Sequence, residues 1–244
     1  VLYRLDLWST LFAAVALLAL IKGRQGGSTG AVLLGVATKG WPVVFAALDW
    51  VRGRRVRAAL IVSAAGMMLL VLLATPGFRS GRSFTGVHLE TLTGSLTLLY
   101  RLGRDLPHQI SSAAGALYID TGVWAVALNI ATGLAVAGAG LLLFRRSNRS
   151  QHWLLAALTL GLTLASPLLS TQFILWSTPF VVLLRRPSLD VLIGLAGGMS
   201  TVLLIWWAPD GFAWALLLVA RNATLLAAAI GVLTTHRVSR VATP

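Results

Sequence analysis

In the stretch "ATKGWPVVF", Lys39 stands between apolar flanks that could both lie in hydrocarbon. An ionisable residue in such a place is a functional-site hypothesis by default. Other polar groups punctuate the chain. Tyr3, Arg4 and Asp6 precede the first apolar run, and Arg79, Arg82, His88 and Glu90 share one long polar stretch. Ser166, Ser170, Thr171 and Gln172 separate two apolar runs, and Arg221 and Asn222 sit inside the last one. Lys and Arg suit a phosphate or pyrophosphate through charge-assisted hydrogen bonds. A carboxylate or a neutral histidine can take the proton of an acceptor hydroxyl. The expected division is Arg4, Lys39, Arg82 and Arg221 toward a lipid phosphate, Asp6, His88 and Glu90 for acid–base work, and Gln172 and Asn222 along a substrate pocket.

Each residue has a plainer role open to it. Lys39 either serves a site or snorkels to an interface while Pro42 kinks a helix. Arg4 and Asp6 can form an interfacial pair, and Arg79 and Arg82 can be solvated. His88 and Glu90, at i and i+2, share one side of an extended segment, where they either line a cavity or anchor a loop. Arg221 can serve packing. The sequons at Asn148 and Asn222 fall in a basic gap and inside an apolar run, and neither is read as a glycosylation site. There is no cysteine, and the four histidines are scattered, so no metal site and no cofactor is expected.

Composition says what must position these groups. Of 244 residues, 57% are hydrophobic and 11% charged, and mean hydropathy is +0.83. Repeated continuous apolar runs indicate membrane-spanning helices, not a barrel of alternating strands. The formal charge of +13 gathers in short gaps between runs, the pattern of cytoplasmic loops against anionic lipid. No nucleic-acid partner is expected.

The segments then place themselves as one transmembrane domain, residues 1–244. Helices are expected near 7–21, 58–74, 123–144, 152 onward, a following partner ending at "RRPS", 191–207 and 213–233. The gaps at 22–29, 51–57, 145–151 and 185–188 should be cytoplasmic, and the loop at 76–120 should be extracytoplasmic. Within that loop, "LETLTGSLTLLYRL" has amphipathic spacing. Trp206, Trp207 and Trp214 fit an aromatic belt. Two basic gaps flank a single run of about 20 residues, the length of one crossing. A break at Gly40-Trp41-Pro42 resolves the conflict by making a hairpin of two half-helices with Lys39 at its tip. The expected fold is therefore an all-α bundle of about seven crossings plus one broken or re-entrant hairpin.

Five stretches, in order, resemble the GT-C superfamily of polyprenyl-phosphate-sugar-dependent glycosyltransferases, and most nearly family 87. "YRLDLW" resembles its Arg-x-Asp at a helix head. "GAVLLGVATKGWPVVF" resembles a segment carried here by Gly30, Gly35, Lys39 and Pro42. "FTGVHLETLTGSL" resembles its Arg-Gly-x-x-x-Glu-Ser loop, with Gly86 and Glu90 matching, Thr91 for Ser and Thr85 for Arg; Arg82 is a possible substitute for that arginine. "SPLLSTQFILWSTPF" resembles Ser-Pro-Gln-Tyr-x-x-Trp-x-x-Pro with a shifted register before Gln172. "ARNATLL" resembles a late Arg-Asn-x-x-Leu-Leu.

The resemblance implies an inverting transfer of a hexose, most simply mannose. The donor would be a polyprenyl-phosphate sugar, and the acceptor a hydroxyl of a lipid-linked or cell-wall glycan on the outer face of a bacterial plasma membrane. It also implies an absence. The family's catalytic acid usually lies in a loop after the first helix, and nothing before Tyr3 supplies one. The expectation is a C-terminal portion of that fold, in which Asp6 is the nearest carboxylate. A transporter or flippase for a lipid-linked or anionic substrate is the rival reading, since broken helices with buried charge also serve transport.

Overall fold

The computed structural model describes residues 2–74, 86–107, 110–113, 116–121, 123–146, 148–166, 173–206, 208–209 and 211–235, with backbone alone at 2–6, 72–73, 86, 112–113, 116 and 123. Helices dominate. They are α1 (Leu2–Ile21), α2 (Gln25–Thr38), α3 (Val44–Val51), α4 (Arg55–Ala74), α5 (Leu92–Gly103), α6 (Val123–Arg146), α7 (Gln151–Ala165), α8 (Ile174–Val182), α9 (Pro187–Ile205) and α10 (Phe212–Thr234). Among the described residues three helices are long and apolar enough to cross a membrane: α6 over Trp124–Arg146, α9 and α10. Shorter apolar helices cover Leu7–Ile21, Trp41–Val51 and Gln151–Ala165.

The break expected in the second run is present. α2 ends at Thr38, Lys39 is extended at φ −165°, and a single 3₁₀ turn, Trp41–Val43, leads into α3. The cause is local. Pro42 has no N–H to continue the α2 ladder, and the chain turns tightly through Gly40, where the Val43 N–H bonds the Gly40 carbonyl at 3.1 Å. Gly35 lets this turn fold back. A Cβ there would lie 3.1 Å from Pro42 Cγ and 3.3 Å from Phe12 Cβ on α1. Gly30, from the same sequence pattern, meets no such neighbour.

The two limbs of the hairpin return to one end. Arg57 on α4 donates from Nη2 to Ser28 Oγ near the start of α2 at 2.8 Å. The same guanidinium holds Asp49, near the end of α3, with Nε 3.0 Å from Oδ2. Arg54 adds a second contact to Asp49 at 3.6 Å. Asp49 is completely buried. A charge so placed needs a partner to be tolerated, and the two arginines supply the counter-charge, although neither carboxylate oxygen has a hydrogen bond of good geometry among the described residues. One arginine therefore closes the hairpin's base across a sequence separation that no periodicity reveals.

The basic gaps collect at that same end. Arg52 lies over Phe144 of α6, 5.9 Å from the ring centroid, and Arg149 lies over Trp153 at 4.2 Å. Arg149 also donates to the Leu233 carbonyl near the end of α10 at 3.2 Å, and Trp153 Nε1 to Val232 at 2.7 Å. Burial pushes the Arg149 guanidinium below its usual range. Arg186 shares a small polar cavity with Gly231, Thr234 and Thr235.

The main helix seam, α6 against α7, is made by small residues. A Cβ on Gly133 would fall 2.2 Å from Ala165 Cβ, and one on Gly140 would fall 2.8 Å from Ala157 Cβ. Gly161 would meet the Gly133 carbonyl at 2.9 Å. Ala157, Gly161 and Ala165 recur every four residues and form the small-residue face that lets apolar helices approach closely.

The stretch read as a loop is partly ordered in a way its sequence did not suggest. It forms an antiparallel sheet in the order β1-β3-β2, from β1 (Gly86–His88), β2 (Ile110–Ala113) and β3 (Ala116–Asp120). Val87 pairs with Ile119, and Ser111 with Tyr118. The amphipathic stretch is α5, capped by the Thr91 hydroxyl accepting from the Gly94 N–H at 3.0 Å. Arg101 at its far end donates to the Asp120 carbonyl at 3.0 Å. Leu89, Leu98, Ile119, Leu203, Trp214 and Leu218 form a second core between this layer and the last two helices. The expected long helix ending at "RRPS" is shorter than its apolar run: α8 spans nine residues.

Candidate functional site

Two polar groups stand out, built by different elements. The first is the hairpin tip. The Lys39 ammonium lies over the Phe173 ring at 5.2 Å and the Trp176 ring at 5.9 Å. Phe173 and Trp176 stack with centroids 3.9 Å apart, and Trp41 stacks on Trp176 at 5.5 Å. Phe180 closes the group edge-on to Trp41 and Phe45. Lys39 is half-buried, and cation–π contacts contribute from about 0.5–1 kcal/mol when exposed to about 2 kcal/mol when desolvated. The backbone is fixed too: Ser9 Oγ lies 3.3 Å from both the Gly35 and Lys39 carbonyls. Trp41 is buried, and its Nε1 has no hydrogen-bond partner among the described residues.

The second group is a knot between the layer of the sheet and α5 and the helix α10. Arg221 and Asn222 are both fully buried. Arg221 Nη1 meets Glu90 Oε2 at 3.3 Å, and Nη2 donates to the Glu90 main-chain carbonyl. Arg221 Nε and Nη2 donate to Asn222 Oδ1 at 3.1 and 2.8 Å. The Asn222 amide donates to the Glu90 and Thr91 carbonyls and to Ser95 Oγ, at 3.1, 3.0 and 2.9 Å. Adjacent residues of a helix do not share a face, but here the long Arg221 side chain folds over Asn222 so that both reach the β1–α5 junction.

His88 supports this junction from beside. Its ring is 5% exposed and packs edge-on against Tyr118. Its Nδ1 accepts from the Glu90 N–H at 3.3 Å, which requires the neutral ring to carry its proton on Nε2. The strand stops at His88, and Glu90 lies in the following turn. The i, i+2 pair therefore does not project from one face of a strand: His88 turns to Tyr118 and Glu90 to Arg221. The Glu90 side chain remains 14% exposed.

Of the sequence-selected residues, the structure brings Glu90, Arg221, Asn222 and His88 together. Lys39 belongs to the other group. Arg4 and Asp6 lie in the first turns of α1, and their side chains are outside the described residues, as are Arg82 and Gln172 altogether. Sequence reasoning passed over Asp49, which is written only as part of an apolar run. It passed over Asn129, which accepts from Thr93 Oγ1 at 3.4 Å and donates to the Ser166 carbonyl at 3.0 Å, joining α5, α6 and the end of α7. A lone polar residue within an apolar run was the available signal for both. Among the described residues no cluster of three or more metal-ligating side chains occurs. No family model matches the chain, and comparisons with curated proteins and with solved structures return no match.

Proposed function

We propose that this is a multi-pass membrane glycosyltransferase of GT-C type, with about seven crossings and the basic end in the cytoplasm. It moves a hexose, most simply mannose, from a polyprenyl-phosphate donor to a glycan hydroxyl on the outer face of a bacterial plasma membrane. The observation that carries this reading is Lys39: a primary amine at the reversal of a broken helix, braced on two aromatic rings inside an apolar bundle. Irregular backbone at such a place belongs where it faces protein or a cavity.

In this reading Lys39, with Arg4 and Arg82, stabilises the departing lipid phosphate. Arg221 acts at one remove, holding Glu90. Glu90 is favoured over His88 as the carboxylate that activates the acceptor, because His88 Nδ1 already accepts a backbone hydrogen bond. Asp6 is the other carboxylate candidate, and Gln172 is assigned to the pocket wall; Asn222, expected there too, is fully buried and holds the Glu90–Arg221 junction instead. Anomeric displacement forms the new bond from the acceptor oxygen and releases the polyprenyl phosphate, with the acceptor proton passing to the carboxylate.

Proteoliposomes carrying the protein and a polyprenyl-phosphate-mannose donor test the reading. Wild-type protein should transfer mannose, and Lys39→Met should lose donor binding by about ten- to a hundredfold, the weight of a charge-assisted contact. Movement of donor between leaflets with no transfer would replace this reading with transport.

A further inference from the structure

The turns after α1 and α3 run through Gly23 at φ 71° and Gly53 at φ 75°, and each glycine has a cation on both sides. That left-handed region suits glycine, which has no Cβ. The turn after α8 passes through the same region at Arg185, φ 52°. A side chain is uncommon and strained there. The turn thereby presents two adjacent exposed arginines, Arg185 and Arg186, directly ahead of Pro187.

Arg186 lines a cavity of about 380 Å³ with Ser188 and Leu189 at the start of α9 and Gly231, Thr234 and Thr235 at the end of α10. Gly231 lets the two helices close on each other: a Cβ there would lie 2.7 Å from Leu189 Cδ2. The Thr234 and Thr235 hydroxyls donate to the Ile230 and Gly231 carbonyls at 2.9 and 2.6 Å, so toward a ligand they can only accept. Arg186 and Ser188 are the lining side chains that can donate. Arg149 adds a cation at the same helical turn, bonding the Leu233 carbonyl at 3.2 Å. Carboxylates hardly offset this charge. Asp49 is enclosed by Arg57 and Arg54, and Asp190, two residues beyond Ser188, lies round the other side of the α9 turn. Beyond the cavity the same helices turn apolar. Val191 and Leu195 follow Ser188 by three and seven residues, and Ile230 precedes Thr234 by four, so each lies on the cavity's side of its helix. All three are exposed, on two helices long and apolar enough to cross a membrane.

We infer that this cavity binds the headgroup of an anionic phospholipid from the leaflet at the basic end. The phosphate lies at Arg186 and Ser188, with Arg185 at the rim. Headgroup hydroxyls donate to the Thr234 and Thr235 oxygens, and the acyl chains run along Val191, Leu195 and Ile230. Basic pockets between membrane helices take such headgroups. A soluble polyanion would match the arginines but leave the apolar stripe beside them unused. The inference rests on the helices lying in a bilayer and not on sugar transfer.

Native mass spectrometry of the detergent-solubilised protein tests this, with phosphatidylglycerol and phosphatidylcholine of identical acyl chains at equal concentration. Wild-type protein should retain phosphatidylglycerol at least about tenfold better than phosphatidylcholine. Arg186→Met should remove that preference. Arg185→Gly should weaken it without lowering the melting temperature in neutral detergent, because glycine takes this conformation without strain. Arg55→Met removes an exposed arginine that lies over Trp50, away from the cavity, and should keep wild-type retention. Equal retention of the two lipids by wild type, unchanged retention in Arg186→Met, or an equal loss in Arg55→Met would overturn the inference. Displacement of phosphatidylglycerol by inorganic phosphate would overturn it too, since the occupant would then be a soluble anion. Retention is read without any sugar donor, so its outcome and that of the transfer assay are independent.

Discussion

Among the described residues two carboxylate–arginine pairs join distant parts of the chain, and they differ in what they leave available. At the base of the hairpin, Asp49 is wholly enclosed and meets Arg57 and Arg54, with Ser28 completing the set. All of it comes from residues 28–57. At the other pair, Glu90 reaches Arg221 across 131 positions and keeps 14% of its side chain exposed. The first pair shows how a carboxylate serves only to close a structure: no ligand could reach it. The second couples the layer of the sheet and α5 to α10 while leaving the carboxylate at a surface. Burial of the acid, not the presence of its arginine, separates the two.

The largest effect is expected at the enclosed pair. Asp49→Ala leaves Arg57 and Arg54 without their counter-charge in an apolar surround. Breaking a buried pair by removing one partner costs about 3–5 kcal/mol. Thermal unfolding in detergent should show a large loss of stability, and Arg57→Met should do the same. If Asp49→Ala melts like the wild type, the hairpin is closed by packing alone and the comparison fails.

An intermediate effect is expected at the junction beneath Glu90. Gly94 sits in the first turn of α5, and a Cβ there would lie 2.3 Å from the His88 carbonyl. That oxygen also accepts from the Thr91 hydroxyl at 2.9 Å. Gly94→Ala must move the strand end or break the cap, and loss of such a cap costs about 1 kcal/mol before any strain is counted. Proteolysis of the layer of the sheet and α5 should accelerate while the other helices stay protected.

The contrast between the pairs also shows what the sequence could reveal. Continuous apolar runs made the helices legible: 123–144 was expected and α6 spans Val123–Arg146; 213–233 was expected and α10 spans Phe212–Thr234. The break at Gly40-Trp41-Pro42 was legible because proline removes a donor wherever it sits. The sheet was not, since "GVH", "ISSA" and "ALYID" are too short for alternation to register. Glu90 and Arg221 were each visible as charges out of place, but their pairing depends on the fold of everything between them. The seating of Lys39 on Phe173 and Trp176 was hidden for the same reason. Asp49 was missed because one carboxylate before a basic turn looks like an ordinary helix end.

The smallest effect on stability, and the sharpest test of the comparison, is expected for Glu90→Gln. Arg221 makes four contacts in the knot, and only the one at 3.3 Å uses the Glu90 carboxylate; the others end on the Glu90 main-chain carbonyl and twice on Asn222 Oδ1. A glutamine amide oxygen can still accept from Nη1 and three neutral acceptors remain around the guanidinium, so, although fully buried Arg221 loses its counter-charge, the net change should stay well below the about 3–5 kcal/mol of the enclosed pair. Asp49→Asn also keeps an amide oxygen, but its reserve is smaller, because both of its arginine contacts use the carboxylate and Arg57 has one further acceptor, Ser28 Oγ, among the described residues. Measured side by side, Asp49→Asn should lower the melting temperature several times more than Glu90→Gln. Sugar transfer should order them the other way: Glu90→Gln, which no longer takes a proton, should lose turnover at near-normal stability, and Asp49→Asn should lose activity only in step with folded protein. Equal melting shifts would mean that the Glu90 carboxylate bears the knot's weight, and it would then be a second staple, not a chemical group.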